Sequence, residues 1–490
     1  MSHRSADLRD RGAKLSLWHK ASYAIGDVAD GIQGAVVNTF LLFYLTSACG
    51  MAGSLAGLAL AITLVIEAGT TPLFGYLSDR TRTRWGRRHP FMLFAAIPLA
   101  VSIGLIFSVP SFASPWATFA YVLVVLVVLR GSFSAFALPY AALGAELSQD
   151  YAERSVIMSY RNFFNICGTL LCFLLGFGVF LAGKGHEIVS ARSYVAFGWV
   201  CAAIVLASAL TAFGGSLHLR HRLAHDSDVA PGSSRKVLRE LRDLFRNPSF
   251  VVLFATILVF SIAQGTIESL SVHALRFFWN VTGDVTNRIF ILRVVGMTCA
   301  IPLYNVLLAH LEKRDILIGA IVIGSLVQLT LPCLAIAGLL PERGAVLDTA
   351  LYAASFLNGG LITVLFISFG AMAADAADEH DLRFGVRREG LYFAGLIFIG
   401  KCALGVGTPL AGLALDLIGF PTDLASHPAQ TVPAAVVRHL GLVFGPAAGL
   451  VALVSAATLV PYRLDRKEHA RIREELARRA APGDIAEVPA

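Results

Sequence analysis

Seven ionisable side chains interrupt long apolar stretches of this chain: Asp27, Asp30, Glu67, Arg130, Glu268, Arg293 and Lys401. A charge near the centre of a bilayer costs roughly 2.5–3.5 kcal/mol on insertion scales, so such residues persist where they bind, couple or gate. Glu67 stands in Leu64-Val-Ile-Glu67-Ala-Gly-Thr70-Thr71-Pro72. Spacings of three and four put Glu67, Thr70 and Thr71 on one side of a helix. A carboxylate with hydroxyls beside it presents hard oxygen donors to a small cation. One carboxylate is equally suited to carrying a proton if its pKa is raised. Glu268 follows Gln264 by one helical turn, and the two form a polar patch expected to line a cavity, since a lipid-facing glutamate is costly. Arg130 is expected to pair with Asp27, Asp30 or Glu67, or to serve as a structural residue.

The elements that must position these groups are membrane spans. Of 490 residues, 56% are hydrophobic and 15% charged, and the mean hydropathy is +0.68. Soluble domains carry about a quarter charged residues. Apolar runs long enough to cross a ~30 Å hydrocarbon layer recur along the chain. They fall near 21–48, 55–77, 91–110, 116–144, 163–183 and 193–218, then 249–275, 287–310, 315–340, 346–373, 390–418 and 437–462. The fold class is therefore all-α and polytopic, with six spans in residues 21–218 and six in 249–462. The linker 219–248 is turn-rich first, then amphipathic, with Val237, Leu238, Leu241, Leu244 and Phe245 on one face of an interfacial or packed helix.

Lysine and arginine fix the expected orientation. The tail 1–20 and the loop after the second span hold five each, and 218–248 and the tail 463–490 hold seven each. The segments SACGMAG and PSFASP hold none. Both termini and the linker are thus expected in the cytoplasm, and an even number of spans follows. The net charge of +7 is accounted for by this topology and by lipid headgroups, not by nucleic acid. The first twenty residues do not read as a cleavable signal. Seven cysteines lie in or beside apolar runs without metal-ligand spacing and read as packing residues. An intramembrane enzyme would need a nucleophile with a base, or an HExxH helix, and neither is present. A receptor would be expected to carry an appended soluble domain.

Several motifs resemble a known family. Gly75-Tyr-Leu-Ser-Asp79-Arg80, continuing to Arg84-Trp-Gly86-Arg87-Arg88, is similar to the loop after the second span in the major facilitator superfamily. There Gly75 permits close helix contact, while Asp79, Arg80, Arg87 and Arg88 form a charged network able to hold one conformation closed. Pro139-Tyr140-Ala-Ala-Leu143-Gly-Ala-Glu146-Leu147 resembles the glycoside–pentoside–hexuronide:cation symporters, the melibiose-carrier group. So do Tyr23-Ala-Ile-Gly26-Asp27, Leu42-Phe43-Tyr44-Leu45-Thr46, and Asp375 and Asp378 with Arg387-Arg388-Glu389-Gly390 and Lys401.

The resemblance covers essentially the whole chain and implies a twelve-helix major facilitator fold in the inner membrane, carrying sugar-type solutes with a cation. Glu67 matches the first of two cation-binding acidic positions; Thr71 replaces the second, and Ser134 matches another oxygen ligand. Lys401 matches a lysine facing the acidic cluster, with Glu67 its natural partner. Asp375, Asp378 and Arg387 are expected as gate or loop anchors. Arg161 matches a cavity arginine, whereas Gly31, Ala137 and Ala141 stand where sugar-contacting aspartates and an aromatic would be. Solute contacts are therefore expected from Asp27, Asp30, Arg161, Gln264 and Glu268. No cofactor is expected beyond a coupling sodium or proton, and the partners are a small solute and the bilayer, with the chain acting as a monomer. The alternative is an uncoupled facilitator, or a carrier of a less polar, amphipathic solute.

Overall fold

Where lipid replaces water, every backbone amide must be satisfied within its own segment, and a helix achieves this. The computed structural model describes residues 15–147, 150–181, 190–218, 242, 244–385, 389–422, 424 and 432–480. Among them, twelve helices are long and apolar enough to cross a membrane. They are α1 (Leu17–Ala48), α2 (Gly53–Arg80), α3 (His89–Ile106), α4 (Pro115–Glu146), α5 (Tyr151–Phe173) and α6 (Ala191–Leu217). Then come α7 (Pro248–His273), α8 (Gly283–His310), α9 (Lys313–Ile336), α10 (Ala345–Phe384), α11 (Glu389–Leu417) and α12 (Ala434–Thr458). A further helix, α13 (Arg466–Ala480), follows. No cysteine among the described residues forms a disulfide. The amphipathic part of the linker expected over 237–241 lies outside the described residues, as does Arg387.

Two boundaries differ from the hydropathy reading. α5 begins at Tyr151 rather than near 163, and α10 continues to Phe384 rather than ending near 373. Both extensions are polar helix, in which Glu153, Asp375, Asp378 and Glu379 find partners beyond the apolar stretch. α10 stops where Gly385 takes a left-handed conformation, φ +71°.

Several spans end in wider turns in which an amide reaches back five residues. Cys49 N donates to Tyr44 O at 3.0 Å, Leu181 N to Gly176 O at 2.8 Å and Trp279 N to Ala274 O at 2.8 Å. These turns extend α5 to Phe180 and α7 to Phe278.

The chain divides into two compact units. Unit 1 holds 1–228 together with 268–291 and 408–440; unit 2 holds the remainder. The two later segments join unit 1 through aromatic contacts. Phe43 of α1 packs on His273, His273 on Phe420, and Phe173 of α5 stacks on Phe290 with ring centres 4.2 Å apart. Thr46 Oγ1 and His273 Nε2 lie 2.9 Å apart. Within unit 1, α1 packs on α5, α2 on α4, and α3 on both α4 and α6. In unit 2, Phe250, Leu253, Phe369, Met372, Tyr392 and Leu396 form a buried core, and Ile472 of α13 is part of it.

The α1–α5 contact is close enough to dictate residue types. A Cβ at Gly31 would run into the Asn165 carbonyl oxygen, and one at Gly168 would meet the backbone of Val28. Gly34, one turn from Gly31, has open space around it. Gly168→Leu should therefore lower the thermal midpoint of the purified protein in detergent, by overpacking worth about 1–3 kcal/mol. Gly34→Ala should leave it unchanged or raise it, since helix propensity favours alanine by up to about 1 kcal/mol.

Candidate functional site

The α2–α4 contact brings Glu67 and Arg130 together. Arg130 Nη1 lies 2.5 Å from Glu67 Oε2, with the two side chains 13% and 21% exposed. One turn along α4, Ser134 Oγ lies 3.1 Å from Thr71 Oγ1. Thr71 donates to the Glu67 carbonyl at 2.7 Å and Thr70 to the same oxygen at 3.3 Å. Glu67, Thr70, Thr71 and Ser134 thus gather as their spacing suggests, and Arg130 joins them. Of the three carboxylates considered for Arg130, the geometry selects Glu67. The carboxylate is thus engaged by a guanidinium on a helix packed against its own, within unit 1. Lys401, in unit 2, is exposed and makes no ion pair among the described residues.

A second ion pair joins α1 to α5. Arg161 Nε and Nη2 donate to Asp27 Oδ2 and Oδ1 at 2.5 and 3.0 Å, in the fork geometry that suits a carboxylate. The guanidinium lies over the Tyr140 ring, 4.6 Å from its centre. Tyr140 Oη donates to Asp27 Oδ2 at 3.3 Å and to Tyr23 O at 3.0 Å, while Tyr23 Oη donates to Tyr140 O at 2.6 Å. Asp27 is buried in this cluster, so its two oxygens brace three helices. Asp30, one turn on, is half-buried and accepts from Asn165 Nδ2 at 3.0 Å. Asp30, Gly34 and Asn38 recur every four residues along one half-buried face of α1. Asn165 and Asn38 escaped the sequence reading because an uncharged amide in an apolar run carries little signal.

On α7, Glu268 and Gln264 are both half-buried, and Ser271 Oγ donates to the Glu268 carbonyl at 2.7 Å. In unit 2, Gln264 lines a cavity of about 30 Å³ with Ser325, Gln328 and Asn358. That is room for a single water held by polar side chains.

The loop after α2 holds a looser network. Arg88 Nη2 lies 3.9 Å from Asp79 Oδ1, and Arg80 stacks on Tyr76 at 4.2 Å. Asp79 is 66% exposed, so this pair contributes about 0–1 kcal/mol. Arg87 is half-buried beside it, and a Cβ on Gly75 would press on Leu138 of α4. In unit 2, Lys313 Nζ donates to both oxygens of Asp375 at 2.8 and 2.6 Å. His469 of α13 approaches Asp378 at 3.1 Å and Asp375 at 3.6 Å. Burial, with Asp375 and Glu379 nearby, pushes the Tyr462 phenol pKa up and keeps it neutral.

A further polar contact was not anticipated. Asp416, near the end of α11, accepts from Gly53 N and Ser54 N at 2.7 and 2.8 Å and so caps the N-terminus of α2. The crossing is tight because a Cβ on Gly53 or Gly412 would meet the other helix's backbone.

The family model for MFS/sugar transport proteins matches residues 22–466. The chain belongs to this family. As a member, it is a transporter rather than an enzyme. The isoprimeverose transporter of Lactiplantibacillus pentosus is 25% identical, over 96% of this chain and 95% of that protein. A glucuronide carrier protein homolog of Escherichia coli is 27% identical over 83% and 85%. An uncharacterized symporter of Synechocystis is 26% identical over 95% and 97%. Among solved structures, the nucleoside transporter NupG aligns with a TM-score of 0.61 at 11% identity, covering 91% of this chain and all of that one. A D-xylose–proton symporter aligns at 0.55 and 14% over 92% and 98%. At such identities these likenesses establish the major facilitator fold and nothing finer.

Two outcomes follow for this family member. Arg161→Ala strands a buried carboxylate and should cost about 3–5 kcal/mol, read as loss of monodisperse protein on detergent size exclusion; Arg161→Lys, lacking the fork, should rescue poorly. Asp416→Ala removes the α2 cap and should cost about 0.5–2 kcal/mol, read as a lower thermal midpoint.

Proposed function

We propose that the chain is an inner-membrane symporter moving a glycoside or a related hydroxyl-rich solute by alternating access, driven by a sodium or proton gradient. The observation that carries this reading is the polar lining of unit 1, where Asp30, Asn38 and Asn165 lie along α1 and α5. A carboxylate and two amides supply both acceptors and donors, as neighbouring sugar hydroxyls require. A charged face of this kind belongs toward a water-accessible path, because lipid would penalise it. The names of the isoprimeverose and glucuronide relatives support the same solute class.

In this scheme the Glu67 group, with Thr70, Thr71, Ser134 and Lys401, serves coupling, while Asp30, Gln264 and Glu268 contact solute. Asp27 and Arg161 hold α1 and α5 in place for that contact. Gly75, Asp79, Arg80, Arg87 and Arg88, together with Asp375 and Asp378, act as conformational latches whose ion pairs differ between states. Both termini lie in the cytoplasm, as the lysine and arginine distribution favours. In this reading the carrier works as a monomer.

One observation favours the second reading in its solute part, a carrier of a less polar, amphipathic solute. At Gly31 the backbone of α5 leaves no room for the acidic side chain that the resemblance would place there.

The test is uptake of labelled isoprimeverose and of a methyl glucuronide into proteoliposomes under imposed sodium or proton gradients. Uphill accumulation above protein-free vesicles is expected, and Glu67→Ala should abolish it. Entry that never exceeds equilibration would replace symport by the uncoupled reading.

A further inference from the structure

The geometry points to Arg130 as the resident cation of the Glu67 site, filling the place that a coupling sodium would need. A sodium ion is seated by several oxygens turned toward a common point, and a carboxylate among them supplies most of the attraction. The charged donor here, Glu67, has Oε2 engaged by Arg130 Nη1 at 2.5 Å. The Thr70 and Thr71 hydroxyl protons are directed to the Glu67 carbonyl. Thr71 and Ser134 face each other at 3.1 Å, a hydrogen-bond separation that leaves no ion between them. The donor set that the resemblance assigns to a coupling cation is therefore present, with its carboxylate paired to Arg130 and Thr71 and Ser134 hydrogen-bonded to each other. Its net charge is balanced by the arginine.

Arg130 is anchored where it can do this. It lies one turn before Ser134 on α4, and its side chain is only 13% exposed. A guanidinium stays protonated at any pH the cell meets, so the charge cannot be withdrawn to admit a metal ion. A sodium ion about 4 Å from it would feel a repulsion equivalent to roughly a thousandfold weaker binding at an effective dielectric of about 20. Arg130 is thus a specificity-determining residue: it disqualifies Glu67 as a sodium ligand and narrows the coupling proposed above to something other than sodium at this position. The inference rests on the transport reading for its meaning, but sodium binding can be measured without any solute.

The experiment is equilibrium binding of ²²Na⁺ to the purified full-length protein, with choline replacing sodium at constant ionic strength. The wild type is expected to show no saturable binding across the physiological sodium range. Arg130→Asn keeps a polar side chain and removes the charge; it should acquire saturable binding, and adding Glu67→Gln should remove it again. Saturable binding to the wild type that disappears in Glu67→Gln would overturn the inference. A folded Arg130→Asn protein that still ignores sodium would overturn the role given to Arg130. Should Arg130→Asn fail to fold, the wild-type arm still decides, supported by its thermal midpoint in sodium against choline chloride, where sodium-specific stabilisation lost in Glu67→Gln counts against the inference. Proteoliposomes that move no glycoside would sink the solute reading alone and leave the binding result standing.

Discussion

Opposite charges drawn out of water must find each other, and unit 1 is organised around two places where they do. Asp27 with Arg161, and Glu67 with Arg130, each join helices distant in sequence, the partners 134 and 63 residues apart. Neither partner can leave without exposing the other to a poorly solvating interior, a loss of several kcal/mol. The pairs therefore fix how α1 is turned against α5 and how α2 is turned against α4. Those rotations decide which side chains line the polar face and which are lost in helix contacts. The two pairs are not equivalent. The first is locked by a second donor, an aromatic ring and burial; the second is partly exposed and surrounded by rotatable hydroxyls.

That difference sorts structure from function. A carboxylate gripped by a fork and a phenol is suited to holding, whereas one held by a single guanidinium nitrogen is suited to responding. Asp375 with Lys313 and Asp378 with His469 bring similar chemistry to the end of α10, where α13 packs against them. Asp416 adds a variant of the same idea without a cationic side chain, a carboxylate set against the positive end of a helix.

Much of this was legible in the sequence because lipid is a strict solvent. It demands long apolar helices, so all twelve spans could be read, and it penalises charge, so Glu67, Arg130 and Asp27 stood out. What could not be read was pairing. Whether Glu67 meets Arg130 or Lys401 depends on helix rotation and neighbour order, which hydropathy does not encode. The starts and ends of helices outside the lipid were also hidden: Tyr151–Asn162 and Asp375–Phe384 are polar, yet continue helices whose amides care nothing for hydropathy. Asp416 was missed for a related reason, since a carboxylate at the edge of an apolar run looks like an ordinary boundary until the helix it caps is known.

The contact at Gly31 carries a consequence for how such carriers diversify. An acidic side chain at that position is a short mutational step away, but the carbonyl of Asn165 already occupies the space it would enter. Restoring it would first require α5 to retreat, which would loosen the Asp27–Arg161 brace. Changes in what is recognised along this wall should therefore arise as linked sets of substitutions across both helices, and a directed-evolution campaign that varies α1 alone will find that route barred.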